Sequence, residues 1–338
     1  MVLITLMTGI FITGISTYFI ASALTGDGED NNNTNPRYSD GSSPQGSGGV
    51  DVVPSEPIDI TLLRTNFNDA DMVYHFYYED GPPDFDRHQI IDPNGFIELV
   101  AYRAQYGKIS IYTHVPVVFF TEYSEITGNV YITAANPREV YDRIIIIDPG
   151  HGGSDTGAVV NNIDESSIVM DISRYLYQMF QHSDSGIRAF MTRHDDVNIL
   201  NADRAHFASA IGDLLVSVHA NTFVYDSRVT GTETLFAPHS YMDIYDNSGR
   251  VNMNNAAFAR IMQDYVSTGL ETRDRGIVER TDLGVLNSAT IPAALIEIDF
   301  MTNPAVLANL TNSAHQQRVA RAIYNGIVAA FNQASILE

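Results

Sequence analysis

Apolar and polar positions change texture along the chain, and each texture predicts a different kind of structure. Residues 2–24 (VLITLMTGIFITGISTYFIASAL) are uncharged and largely apolar, long enough to cross a bilayer or to act as a secretory signal. Residues 25–57 are mostly Asn, Ser, Gly and Asp. Ordering them would cost entropy that no burial offsets, so a disordered linker is expected there. From Ile58 to Tyr141, short alternating or β-branched runs such as MVYHFYY, KISIYTH and GNVYITAA are separated by turn formers, among them Asp80-Gly81-Pro82-Pro83 and Asp92-Pro93-Asn94-Gly95. That pattern predicts antiparallel hairpins in a small all-β domain over 58–141.

From residue 142 to 338 the texture becomes strand then helix, repeated, which predicts an α/β domain with a mostly parallel sheet flanked by helices. Ile144 to Ile147 suits a strand buried on both faces. Ile168, Ile172, Leu176 and Met179 form one apolar stripe of a helix over 165–181. Further strands are predicted at 187–192, 214–219, 232–237 and 293–298, with helices near 200–211, 253–267 and 313–333.

Composition narrows the chemistry. Cysteine is absent, so disulfides, thiolate nucleophiles and thiolate metal ligands are excluded, and any metal must be held by His and carboxylates. With 41 acidic against 19 basic residues the formal net charge is −22, which repels phosphate backbones and excludes nucleic acid as a partner. At the N-terminus, Ala21-Ser22-Ala23 fits a signal cleavage site, whereas the usual Lys or Arg before the apolar stretch is missing. A cleaved signal and an uncleaved membrane anchor both stand, and both place the remainder of the chain outside the cytoplasm.

The candidate chemistry sits at strand ends. The first strand of the α/β region runs into Asp148-Pro149-Gly150-His151-Gly152-Gly153, where small residues let the backbone turn and leave an imidazole at the strand's carboxyl end. Glu165 opens the next helix, and His219 ends another apolar strand in Ser217-Val218-His219-Ala220-Asn221. Two imidazoles and a carboxylate match the His₂Glu donor set of a catalytic zinc site. Each residue alone has a plainer reading: a strand-end His is often a hydrogen-bonded structural residue, and a Glu at a helix start favours the macrodipole. Glu297 lies within the apolar run Pro292 to Phe300. An unpaired charge there is expensive, so it is either a general base taking a proton from the attacking water or half of a buried ion pair with an arginine.

Together, DPGHGGSDTGA, a Glu fourteen residues after its His, SVHAN, GTETLF and PAALIEIDFMTN resemble the zinc-dependent N-acetylmuramoyl-L-alanine amidase family that cuts peptidoglycan, over about Arg143 to Phe331. The resemblance implies Zn²⁺ held by His151, Glu165 and His219, with Glu297 assisting catalysis. It implies cleavage of the amide between N-acetylmuramic acid and the L-alanine of the stem peptide. Arg193, Arg204 and Arg275 also resemble recurring family positions, and Asn221 follows its ligand as expected. For Arg204, Arg275 and Asn221, contact with the peptide substrate competes with fold support. Some relatives carry a long helical insertion after the GTETLF-like strand that blocks the metal, and Pro238 to Val251 is too short for one. A non-catalytic wall-binding protein and a zinc peptidase are the alternatives.

Overall fold

The structure, a computed structural model, describes residues 88–103, 108–113, 115–124, 126–127, 129–238 and 252–335, together with the strand backbones Thr17–Tyr18, Leu63–Asn68 and Val73–Tyr78. The signal or anchor over 1–24, the linker over 25–57 and most of the segment from Pro238 to Val251 therefore lie outside the described residues, strand Thr17–Tyr18 apart. Among the described residues, no helix is long and apolar enough to cross a membrane. The chain divides into two compact units, one built mainly from residues before Ala135 and the other mainly from Ala135 onward.

The first unit is all β. Strands β1 (Thr17–Tyr18), β4 (His88–Ile91), β8 (Asn129–Ala135) and β7 (Val118–Ser124) form one sheet in the order β1-β4-β8-β7. Strands β2 (Leu63–Asn68), β3 (Val73–Tyr78), β6 (Lys108–Thr113) and β5 (Ile97–Arg103) form another in the order β2-β3-β6-β5. Alternation is clearest in β8, where Val130, Ile132 and Ala134 are buried and their neighbours half-exposed. The hairpin expectation needs one correction. β4 and β8 run parallel, with Ile90 opposite Ile132, because these two strands are joined by a crossover rather than a tight turn.

The second unit is a six-stranded mixed sheet between helices. Its strands are β9 (Ile144–Pro149), β12 (Arg188–Met191), β13 (Leu214–Asn221), β14 (Thr232–Phe236), β15 (Asp274–Glu279) and β16 (Ala293–Phe300), in the order β12-β9-β13-β16-β14-β15. The first four in that order are mutually parallel; β14 runs antiparallel to β16, and β15 follows β14. Two short strands, β10 (Val159–Val160) and β11 (Ile163–Asp164), make a hairpin just before helix α2 (Glu165–Gln181).

Strand periodicity sorts the core into two layers. Ile145, Ile147, Val216, Val218, Ala294 and Ile296 point to one face, where α2 packs with α4 (Asn255–Leu270) and α7 (Ser313–Ser335). Ile144, Ile146, Leu215, Ala293 and Leu295 point to the other, covered by α3 (Asn201–Ile211) and α5 (Gly284–Ser288). The short helices α1 (Pro137–Val140) and α6 (Pro304–Leu310) complete the unit, and in α6 Asn303 caps the amides of Ala305 and Val306 with Pro304 at the first helical position.

That sorting positions the site. Continuing the second layer toward the carboxyl ends of β9, β13 and β16 replaces Ile and Leu by Asp148, His219 and Glu297. Ser217 lies opposite Asp148, and His219 lies opposite Glu297. The polar cluster sits at the carboxyl ends of the parallel strands, where open α/β sheets bind their ligands.

Candidate metal centre

His151, Glu165 and His219 each offer a donor atom within 4.8 Å of the others. Three different elements bring them together. His151 follows β9 with φ +60°, a left-handed conformation that costs energy for any residue with a Cβ and that turns its ring over the strand end. Glu165 is the first residue of α2 and reaches across the sheet end, and His219 projects from β13.

Close approach is possible only because neighbouring positions lack side chains. A Cβ on Gly150 would collide with the His219 ring, and one on Gly157, which has φ +66°, would lie 2.6 Å from both Glu165 Oε2 and His151 Cδ2. The two imidazoles meet edge to face with centroids 4.8 Å apart.

Glu165 organises the cluster. Its Oε1 lies 3.2 Å from His151 Nε2 and 3.0 Å from His219 Nδ1, and it accepts the Ala220 amide at 3.1 Å. Its Oε2 accepts the Ala158 amide at 3.0 Å. Burial works to raise this carboxyl, but the two imidazoles outweigh it and hold it far below the usual carboxylate range. Burial likewise opposes charge on His151, yet the hydrogen bonds and charges of Glu165 and Asp155 raise it to about 9. Asp155 Oδ2 lies 2.9 Å from the ring's other nitrogen, Nδ1, a contact that fixes the imidazole's orientation. A buried carboxylate wedged between two imidazoles, in a chain without cysteine, is a donor set suited to a borderline divalent cation such as zinc. Binding one would release the protons that now join the three side chains.

Glu297 stands beside this set. Its Oε2 is enclosed and has no hydrogen-bond partner among the described residues, and burial pushes the carboxyl up to about 7, with the charges of Glu165 and Glu233 adding to the rise. Of the two sequence readings, the ion pair is not found: among the described residues no arginine pairs with Glu297. Glu233 lies directly across the antiparallel pair from Glu297.

The remaining candidates separate. Arg204 is 2 % exposed and spends its guanidinium on Asp148 Oδ1 (2.9 Å) and on the carbonyls of Pro149 (2.7 Å), His151 (2.6 Å) and Ile199 (2.8 Å). Fold support is the role those contacts favour. Arg193 does the same for Pro149, Gly150 and Ser166. Asn221 donates to Glu233 at 2.6 Å and accepts from the Thr222 amide at 2.7 Å. Arg275 faces Glu233 at 3.7 Å and stacks over Phe300.

Sequence reasoning missed Asp148, Asp155 and Glu233. Asp148 is the buried hub of the loop, accepting from Thr192 (2.6 Å), Ser217 (2.6 Å) and Arg204. A carboxylate closing an all-apolar strand was the available signal for it. An acid four residues beyond a candidate ligand was the signal for Asp155. The pairing of Glu233 with Glu297 depends on sheet register, which no local pattern carries.

Residues 145–329 match the family model described as N-acetylmuramoyl-L-alanine amidase. The chain is 34 % identical over 201 residues to YqiI of Bacillus subtilis, a match covering 59 % of this chain and 89 % of that one. It is 30 % identical over 193 residues to the N-acetylmuramoyl-L-alanine amidase LytC of the same organism, covering 57 % of this chain and 36 % of LytC. Among solved structures, an N-acetylmuramoyl-L-alanine amidase from Clostridium difficile 630 superposes with a TM-score of 0.50 at 28 % identity, covering 56 % of this chain and 97 % of that one.

Proposed function

Since the chain belongs to the N-acetylmuramoyl-L-alanine amidase family, we propose that it is a zinc-dependent peptidoglycan hydrolase that cuts the amide between the lactyl group of N-acetylmuramic acid and the L-alanine of the stem peptide. The observation that carries this reading is the convergence of His151, Glu165 and His219 beside Glu297, whose enclosed Oε2 has no hydrogen-bond partner among the described residues.

In this reading His151, Glu165 and His219 hold the zinc. When bound, zinc supplies Lewis-acid stabilisation of the negative charge that develops on the amide oxygen. Glu297 accepts a proton from the attacking water and returns it to the departing amine of L-alanine. A carboxyl raised to about 7 suits both halves of that task, because its proton is neither too tightly nor too loosely held near neutral pH. Asp155 keeps the His151 ring in place, and Arg193 and Arg204 keep the loop that carries it. A carboxyl whose enclosed Oε2 has no partner among the described residues has no evident use in a non-catalytic wall-binding protein, which disfavours that alternative.

A wall substrate puts the site of action outside the cytoplasm. Residues 1–24 then serve as export signal or anchor, 25–57 as a tether, and 58–141 as an accessory β module preceding a catalytic domain at 142–338.

Mass spectrometry of digested muropeptides tests the reaction. The proposal expects stem peptides with a free L-alanine amine and sugars that keep the lactyl acid; cuts within the peptide would instead identify a zinc peptidase.

A further inference from the structure

In the loop after β13, against β15, lies a cleft of about 360 Å³ whose charge runs against that of the whole chain. With a net charge of −22, the protein is strongly acidic, yet this cleft is lined by three arginines, Arg228, Arg273 and Arg275, and by one carboxylate, Asp226. Its lining starts two residues beyond Asn221, at Phe223, just past the strand that carries His219. Its far wall is β15, from which Arg275 reaches Glu233, the residue paired with Glu297. The cleft is therefore linked to Glu297 through Arg275 and Glu233.

The three arginines are differently committed. Arg275 is held by Glu233, by the Thr230 carbonyl at 3.4 Å and by its stack over Phe300 at 4.9 Å. Arg228 is exposed and pairs with Asp226 through two contacts of 2.9 Å. Arg273 is exposed, and its side chain makes no hydrogen bond or ion pair among the described residues. The cleft is also built rather than incidental. Gly231 has φ +120°, and a Cβ there would lie 2.6 Å from the Arg273 carbonyl and 2.9 Å from Arg275 Cγ, so only glycine lets the loop close against β15. Phe223 and Tyr225 meet edge to face at 5.7 Å on the same loop, and both are exposed.

We infer that this cleft is a carboxylate-binding subsite for the peptide half of the substrate, with Arg273 as its principal cation and Arg228 beside it. The inference rests on the amidase reading above. In that substrate the acid of the lactyl group is consumed in the amide, so a free carboxylate near the scissile bond belongs to the stem peptide. Guanidinium pairs are suited to it because their planar forks match a carboxylate's two oxygens.

The test is equilibrium binding of a stem peptide, which the reaction releases and does not consume. Full-length zinc-loaded protein is titrated with L-alanyl-D-glutamyl-L-lysyl-D-alanine and with the same peptide carrying carboxamides in place of its carboxylates. The native chain should bind the acid form about tenfold more tightly, a charge-assisted bond being worth roughly that ratio. R273A should reduce the preference to about twofold or less, R273E should invert it, and raised salt should weaken it in the native chain. Both substitutions are at an exposed position, and the zinc content of each variant checks that the centre is intact. Equal binding of the two peptides by the native chain, or an unchanged preference in R273A and R273E, would overturn the inference. Peptide release from purified wall by the same preparations reports the amidase reading separately, so cleavage without a carboxylate preference counts against the cleft alone.

Discussion

His151 holds a left-handed backbone conformation at φ +60°, and the residues around it explain why that strain persists. Gly150 and Gly157 leave room for the two imidazoles, and Asp155 fixes the ring. Replacing Gly157 by Ala should therefore cost about 1–2 kcal/mol from the left-handed backbone alone, plus the displacement of Glu165 and His151. A thermal melt together with a zinc titration would register both losses, whereas a variant with native melting and affinity would contradict the packing argument. Glu297→Gln keeps shape and removes the base, so peptide release should fall by ~10²–10⁴ while zinc remains bound. Glu233→Gln removes a like charge facing Glu297. Burial is the main cause of the raised Glu297 value, and the Glu233 charge adds to it, so the substitution lowers that value. On the proposed role of Glu297 as the base, the acid limb of the pH–rate profile should move to lower pH. An unmoved limb would mean that Glu233 does not act on Glu297 through its charge. At this scale Glu297 was legible because a carboxylate stands out in an apolar strand. Glu233 was not, because its importance comes from its cross-strand partner.

The elements that were easiest to read are those with both faces buried. Strand β9 is buried at all six positions, and α2 spans Glu165–Gln181 as its apolar stripe predicts. Strand β15 went unread because it is an edge strand with half its residues exposed and none buried, and the short helices α5 and α6 have too few turns for periodicity to show. Between elements, the Asp148–Arg204 pair is the principal tie: Asp148 is the penultimate residue of β9, Thr192 follows β12, Ser217 lies in β13 and Arg204 in α3. Both charges are almost fully buried, at 1 % and 2 % exposure. Arg204→Ala would leave Asp148 buried without its cation, so a loss of about 3–5 kcal/mol is expected in denaturant unfolding. Burial works to raise Asp148, but Arg204 and three hydrogen bonds prevail and hold it below the ordinary aspartate value. A depressed folded value means that this stabilisation is complete above the unfolded aspartate value, ~3.9, and is lost as pH falls below it. Acid unfolding of Arg204→Ala should accordingly show a shallower pH dependence than the native chain.

At the scale of the molecule, the second unit has two hydrophobic layers that owe nothing to a metal, so chelation should abolish activity and leave a folded protein. Adding zinc at a hundredfold excess over its Kd should then restore ~2.7 kcal/mol of stability. Loss of the cooperative melt on chelation would instead make the metal part of the fold. The α/β class and the order of its main elements were readable from periodicity because that unit is a buried parallel sheet. The parallel pairing of β4 with β8 in the first unit was not, since strand partners that are distant in sequence leave no local trace. The measurement that bears most directly on the whole account is the zinc stoichiometry and affinity of the native chain beside Glu165→Gln. One equivalent per native chain, with affinity at least ~100-fold weaker in the variant, is predicted. No zinc in the native chain, or equal affinity in the two, would contradict it.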